Sequence, residues 1–133
     1  MSGGRVLIAD DEVGQQEILR IYLKELPVEI VTAEGTAQAL RALATDRFHA
    51  VLCDLVMPGG GGQEVLRYVR SQGLPTPVII VTGYGDEASA AECLAAGAFD
   101  FVSKPVERFA LRAVLRRALL RSGLLCEESP PPP

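Results

Sequence analysis

Ala50-Val51-Leu52-Cys53-Asp54-Leu55-Val56-Met57-Pro58 is the stretch from which the rest of this chain can be read. Four apolar residues with no polar break suit a strand covered on both faces, as in a buried parallel sheet. The run stops on a carboxylate, and Pro58 then interrupts any regular backbone pairing. Open parallel sheets bind their ligands outside the C-terminal ends of their strands. An acid delivered to that end is therefore a candidate for chemistry.

The same pattern recurs in both directions. Upstream, Val6-Leu7-Ile8-Ala9 runs into Asp10-Asp11-Glu12, and Val28-Glu29-Ile30-Val31 alternates as an edge strand does. Downstream, Val78-Ile79-Ile80-Val81 runs into Thr82, and Phe99-Asp100-Phe101-Val102 precedes Lys104-Pro105. Helical periodicity fills the gaps at about 12–26, 36–46, 63–72, 86–96 and 107–122. Ile18, Tyr22 and Leu26 share one face of the first segment, while Glu17, Arg20 and Lys24 take another. Ala37, Leu40 and Leu43 repeat this in the second. Pro27, then Gly73 with Pro75, then Gly97 stand where helices should stop. Five βα units in a row predict an α/β domain: a doubly wound, five-stranded parallel sheet with five helices on both faces.

Bulk properties narrow the function. A chain of 133 residues that is 48% hydrophobic can bury one core. A net charge of -4 argues against direct binding of nucleic acid. No apolar run approaches the ~20 residues of a membrane span, and no signal peptide is legible at the N-terminus. Cys53, Cys93 and Cys126 are odd in number and far apart, which reads as reduced thiols in a cytoplasm. The single His49 lacks Cys or His company for a metal site. The expected layout is a flexible start at 1–4, a folded domain at 5–122 and a tail or linker at 123–133, ending in Pro130 to Pro133.

Asp10, Asp11, Asp54, Thr82 and Lys104 all fall at C-terminal strand ends. Three carboxylates in one crevice repel, by about 4 kcal/mol for a pair ~4 Å apart at an effective dielectric near 20. They need a cation or must take up protons. Hard oxygen donors suit Mg²⁺, which favours a few carboxylates, waters and phosphate oxygens. A carboxylate can then act as nucleophile on phosphorus, with an ammonium and a hydroxyl left to hold phosphoryl oxygens. Singly, each residue has a plainer reading. Asp10 and Asp11 suit a helix start, Asp54 a loop before a turn, and Lys104 a solvated loop. The five together are hard to obtain by accident.

These residues resemble the receiver domain of bacterial two-component response regulators, from about Arg5 to about Arg121. The resemblance rests on Ile8-Ala9-Asp10-Asp11-Glu12, Asp54-Leu55-Val56-Met57-Pro58, Val81-Thr82-Gly83-Tyr84-Gly85, Gly97-Ala98-Phe99-Asp100-Phe101 and Lys104-Pro105. It implies a flavodoxin-like sheet in the order 2-1-3-4-5, with Asp54 as phosphoacceptor. Asp11, Asp54 and the Val56 carbonyl would bind Mg²⁺ directly, and Asp10 through a water. Lys104 would pair with the acceptor, while Thr82 and then Phe101 would move inward as a switch. The implied donor is a phosphohistidine on a sensor histidine kinase or histidine phosphotransfer protein. The implied output surface is the fourth helix, fifth strand and fifth helix. Such a protein catalyses only its own phosphorylation and dephosphorylation.

Two departures stand out. Gly59 to Gly62 replace a loop that in the family carries a bulky residue and an Asp able to cap the third helix, which predicts a mobile loop. Phe101 has no hydroxyl where many relatives have Tyr, which excludes a hydrogen-bonding role for that ring. Arg108, Arg112 and Arg116 share a helical face near Leu115 and Leu119. They read either as an exposed basic stripe or as a contact for Glu87, Glu92 or Asp100 of a second copy in a phosphorylation-linked homodimer. Three rival functions share parts of this pattern. A flavodoxin-type electron carrier needs a hydroxyl- and glycine-rich loop where Asp10-Asp11-Glu12 stands. A haloacid-dehalogenase-type hydrolase needs its Asp after the first strand. A receiver that binds partners without phosphorylation has no need of all five residues.

Overall fold

The structure is a computed structural model that describes residues 4–83 and 85–122. Tyr84, Cys126 and the expected tail at 123–133 lie outside the described residues. In chain order the elements are β1 (Gly4–Ala9), α1 (Val13–Tyr22), β2 (Val28–Ala33), α2 (Thr36–Thr45) and β3 (Ala50–Asp54). They continue as α3 (Gly61–Ser71), β4 (Val78–Thr82), α4 (Glu87–Ala95), β5 (Asp100–Ser103) and α5 (Arg108–Ser122). The strands form one sheet in the order β2-β1-β3-β4-β5, and every pairing is parallel.

Strand side chains alternate between the two faces, and this sorts the core. Leu7, Ala9, Val51, Cys53, Val78 and Ile80 point to one side, where Ala39 and Leu43 of α2, Val65 and Val69 of α3 and Cys93 of α4 cover them. Val6, Ile8, Ala50, Leu52, Ile79 and Val81 point to the other, under Leu19 of α1 and Leu111, Leu115 and Leu119 of α5. Central β3 and β4 are buried at every position, whereas β2 at the edge is mostly half-buried.

Three expectations need correction. α1 ends at Tyr22 rather than Leu26; Leu23 leaves helical geometry and the chain turns through Leu26 with an N–H···O bond back to Leu23. Pro27 accounts for this: it keeps Leu26 out of the α region, and in a continued helix its ring would clash with the Leu23 carbonyl. α3 begins at Gly61, not Gln63, so two of the four glycines belong to the helix. Leu115 and Leu119 do not flank an exposed stripe: both are fully buried against the sheet.

Candidate functional site

The chain runs from β1 outward to β2, then returns past β1 to β3. The β1–β3 junction is therefore the point where the winding reverses, and the loops above it diverge to leave a crevice. Asp10 and Asp11 follow β1 and Asp54 closes β3, so strand order alone brings them together. One carboxylate oxygen from each lies within 4.8 Å of the other two. Asp10 and Asp54 are buried, and Asp11 faces solvent.

Lys104 reaches the same point from β5. Its backbone N–H donates to the Thr82 carbonyl at 2.7 Å, and Thr82 pairs with Ser103 across the strand ends. From there its Nζ donates to Asp54 Oδ2 at 2.8 Å. The other acceptor oxygen, Oδ1, takes the Val56 N–H at 3.2 Å. Thr82 is buried at the end of β4, one residue beyond Val81, the β4 partner of Asp54. Phe101 sits on the outer strand with 37% of its surface exposed.

The cluster is short of positive charge. Burial raises the Asp10 pKa; the Glu12 N–H on its Oδ1 at 2.9 Å opposes this, and the Asp54 charge adds to it. Asp10 Oδ2 is buried without a hydrogen-bond partner among the described residues, a costly state for a carboxylate oxygen. Burial also works against the Lys104 charge, but the hydrogen bond and field of Asp54, with Asp10 and Glu12, more than reverse it. Lys104 stays an ammonium, yet one cation faces three acids. An orphaned buried oxygen beside two further hard donors fits a small divalent cation such as Mg²⁺.

Two supporting residues escaped the sequence reading. Buried Gln16 donates from Nε2 to the Asp10 carbonyl at 2.7 Å, fixing the turn that aims the acids. Its signal was an amide at helical spacing before Leu19 and Leu23, both core residues. Thr36 accepts the Gly61 N–H on its Oγ1 at 2.8 Å, across 25 residues. Nothing in local sequence announces that contact. The arginine stripe is also rearranged. Arg112 pairs with Glu25 at 3.0 Å, Arg117 takes Asp100 at 3.0 Å, and the Arg108 guanidinium lies 5.0 Å from the Phe109 ring centre. Two of the groups expected to meet a second copy, Arg112 and Asp100, are thus already paired within the chain.

An open parallel α/β sheet in the order β2-β1-β3-β4-β5 defines the flavodoxin-like class, here with three acids that could hold a metal ion and a lysine at the switch point. The response regulator receiver domain family matches residues 6–116, and the chain belongs to it. Response regulator protein PilR of Pseudomonas aeruginosa is 35% identical over 130 residues, covering 98% of this chain and 29% of PilR. Transcriptional regulatory protein FixJ of Bradyrhizobium diazoefficiens is 32% identical over 116 residues, 87% of this chain and 57% of FixJ. The chain therefore spans less than two thirds of either relative. The receiver domain of a Luxo repressor protein from Vibrio parahaemolyticus superposes with a TM-score of 0.87 at 28% identity, covering 96% of this chain and 99% of that one. As a receiver domain, the chain is a two-component signalling module. No described helix is long and apolar enough to cross a membrane.

Proposed function

We propose that this receiver takes a phosphoryl group onto Asp54 from a phosphohistidine of a sensor histidine kinase or histidine phosphotransfer protein, in a Mg²⁺-dependent reaction. The carrying observation is the Lys104–Asp54 contact of 2.8 Å inside a three-carboxylate cluster. Asp11, Asp54 and the Val56 carbonyl would hold the cation directly, and Asp10 through water. When bound, the ion neutralises the acids and draws charge from phosphoryl oxygens.

The residues of the chain supply the rest. An Asp54 oxygen attacks phosphorus, the P–N bond breaks, and the imidazole leaves with its electron pair. Lys104 starts on Asp54 Oδ2 and transfers its hydrogen bond to a phosphoryl oxygen as the new P–O bond forms. The Thr82 hydroxyl would take another phosphoryl oxygen, and Phe101, half-exposed at the sheet edge, would turn inward behind it. The α4–β5–α5 surface would carry that change to a partner or to a second copy of the chain. Hydrolysis of the acyl phosphate resets the switch, so the catalysis concerns only the chain's own modification. The working unit would be 5–122, with 123–133 as a linker, acting in the cytoplasm without touching nucleic acid itself.

Intact mass after incubation with acetyl phosphate tests this, with and without Mg²⁺ and beside Asp54→Asn. One added phosphoryl group that needs both Mg²⁺ and Asp54 is expected. Labelling of the Asn variant to the same extent would place the acceptor elsewhere.

A further inference from the structure

The β3–α3 connection is built almost without side chains of its own. Gly59, Gly60 and Gly61 all have positive φ, at 91°, 112° and 63°. Gly60 caps α3 but supplies no side-chain acceptor for the first helical amides. An N-terminal turn lacking a cap leaves its N–H groups unsatisfied, which is costly where the turn is buried. Gly61 and Gly62 are both buried.

The missing acceptor comes from another helix. Thr36, the first residue of α2, is 2% exposed. Its Oγ1 accepts the Gly61 N–H at 2.8 Å, and its own N–H donates to the Pro58 carbonyl at 3.3 Å. The two bonds bracket Gly59 and Gly60. The Thr36 side chain also fills the space beside Gly59, where an added Cβ would stand 3.0 Å from the Thr36 Cβ. Beyond the bracket, the Gly62 N–H donates to the Leu55 carbonyl at 3.2 Å. Thr36 is thus tied to the chain on either side of Gly59 and Gly60, which follow Met57 and Pro58.

We infer that Thr36 is a positioning residue of the phosphoryl-accepting site: by tethering Pro58 and Gly61 it holds the 55–61 loop, and with it the Val56 backbone beside Asp54. This rests on the reading of Asp54 and Val56 given above. Val56 is 64% exposed, so its own side-chain packing holds this backbone only weakly. Its N–H contact to Asp54 Oδ1, and the carbonyl assigned to the cation, therefore depend on how the following glycines are held. Three positive-φ glycines have wide conformational freedom, and Thr36 removes it from a distance. Supporting contacts outside the ligand set commonly set metal affinity in this way.

The test compares the wild type with Thr36→Val, which keeps the shape and loses the acceptor, and with Thr36→Ser, which keeps the acceptor. Mg²⁺ affinity is read by calorimetry, the Mg²⁺ dependence of acetyl phosphate labelling by intact mass, and Gly61 amide exchange by NMR. Thr36→Val should need about five- to ten-fold more Mg²⁺ for half-maximal labelling and should exchange Gly61 faster. Thr36→Ser should stay within about two-fold of wild type. A folded Thr36→Val protein with unchanged Mg²⁺ affinity overturns the inference, as does a Ser variant that fails equally. If Thr36→Val does not fold, wild-type exchange decides: a Gly61 amide as fast as that of Gly59 refutes the tether. A wild type that neither binds Mg²⁺ nor labels overturns the site reading and the inference with it, while a slowed Gly61 amide would show that the tether is structural only.

Discussion

Asp10 has two carboxylate oxygens with opposite surroundings: Oδ1 holds the Glu12 N–H, and Oδ2 is buried with no partner among the described residues. The sequence placed both acids after β1 at a strand end, because a strand followed by acids is legible one residue at a time. It could not say which oxygen would be orphaned, since that depends on the folded turn in which the Glu12 N–H takes Oδ1. The consequence is a pH dependence of definite sign. Burial, with the Asp54 charge, raises the Asp10 pKa above the ordinary 3.8 despite the Glu12 N–H. The folded protein then binds this proton more tightly than the unfolded chain. The contribution to stability is complete below pH 3.8 and is lost as pH rises through the raised value. Asp10→Asn keeps an acceptor for the Glu12 N–H and removes the charge. In EDTA at pH 7 it should be more stable than wild type by about 1 kcal/mol, with a flatter pH dependence. Urea unfolding from pH 4 to 8 measures this. Parallel curves for the two proteins would show that the buried oxygen carries no penalty.

At the scale of elements, glycine and proline punctuation was read correctly where the reason is local. Gly73 and Gly97 follow α3 and α4 with φ of 66° and 114°, as left-handed C-terminal residues should. The glycine run before α3 was legible only as conformational freedom, because its reason lies elsewhere in the fold. A Cβ at Gly61 would stand 2.1 Å from the Leu55 carbonyl oxygen, and one at Gly62 would stand 2.8 Å from Ile80 Cδ1. These two are glycines because α3 starts hard against β3 and β4, whereas Gly59 and Gly60 are exposed. The same limit applied to α5, whose leucines were read against its arginines before the sheet beneath was known. A pair of substitutions separates the two kinds of glycine. Gly73→Ala meets no atom within 4 Å, so only backbone strain opposes it, at about 1 kcal/mol. Gly61→Ala adds a collision with backbone to similar strain and should cost about 3 kcal/mol or more. Equal midpoints in urea would mean that β3 and α3 separate easily.

For the whole molecule, the alternation of short apolar runs with helical segments was enough to predict a five-stranded parallel sheet, while its strand order came from the family resemblance. Which face each helix covers was not written in any one segment; it follows from the alternation of strand residues once neighbours are fixed. That winding also sets the thermodynamics of the site. Asp10 and Asp11 come from one half of the sheet, Asp54 from the strand beyond the reversal, and Lys104 from the far edge. In the unfolded chain these groups are scattered, so a cation that joins them binds the folded state and stabilises it by mass action. At ten times its dissociation constant, Mg²⁺ should add about 1.4 kcal/mol, and each further tenfold about as much again. For a domain of this size that is a rise of about 5 °C in Tm per decade of concentration. Asp11→Asn, which removes an exposed donor without touching the core, should reduce that dependence while leaving the Mg²⁺-free Tm close to wild type. The acids repel one another in the absence of the ion, so the fold gains from binding it. A Tm that does not respond to Mg²⁺, or responds equally in Asp11→Asn, would mean that the lysine alone balances the cluster.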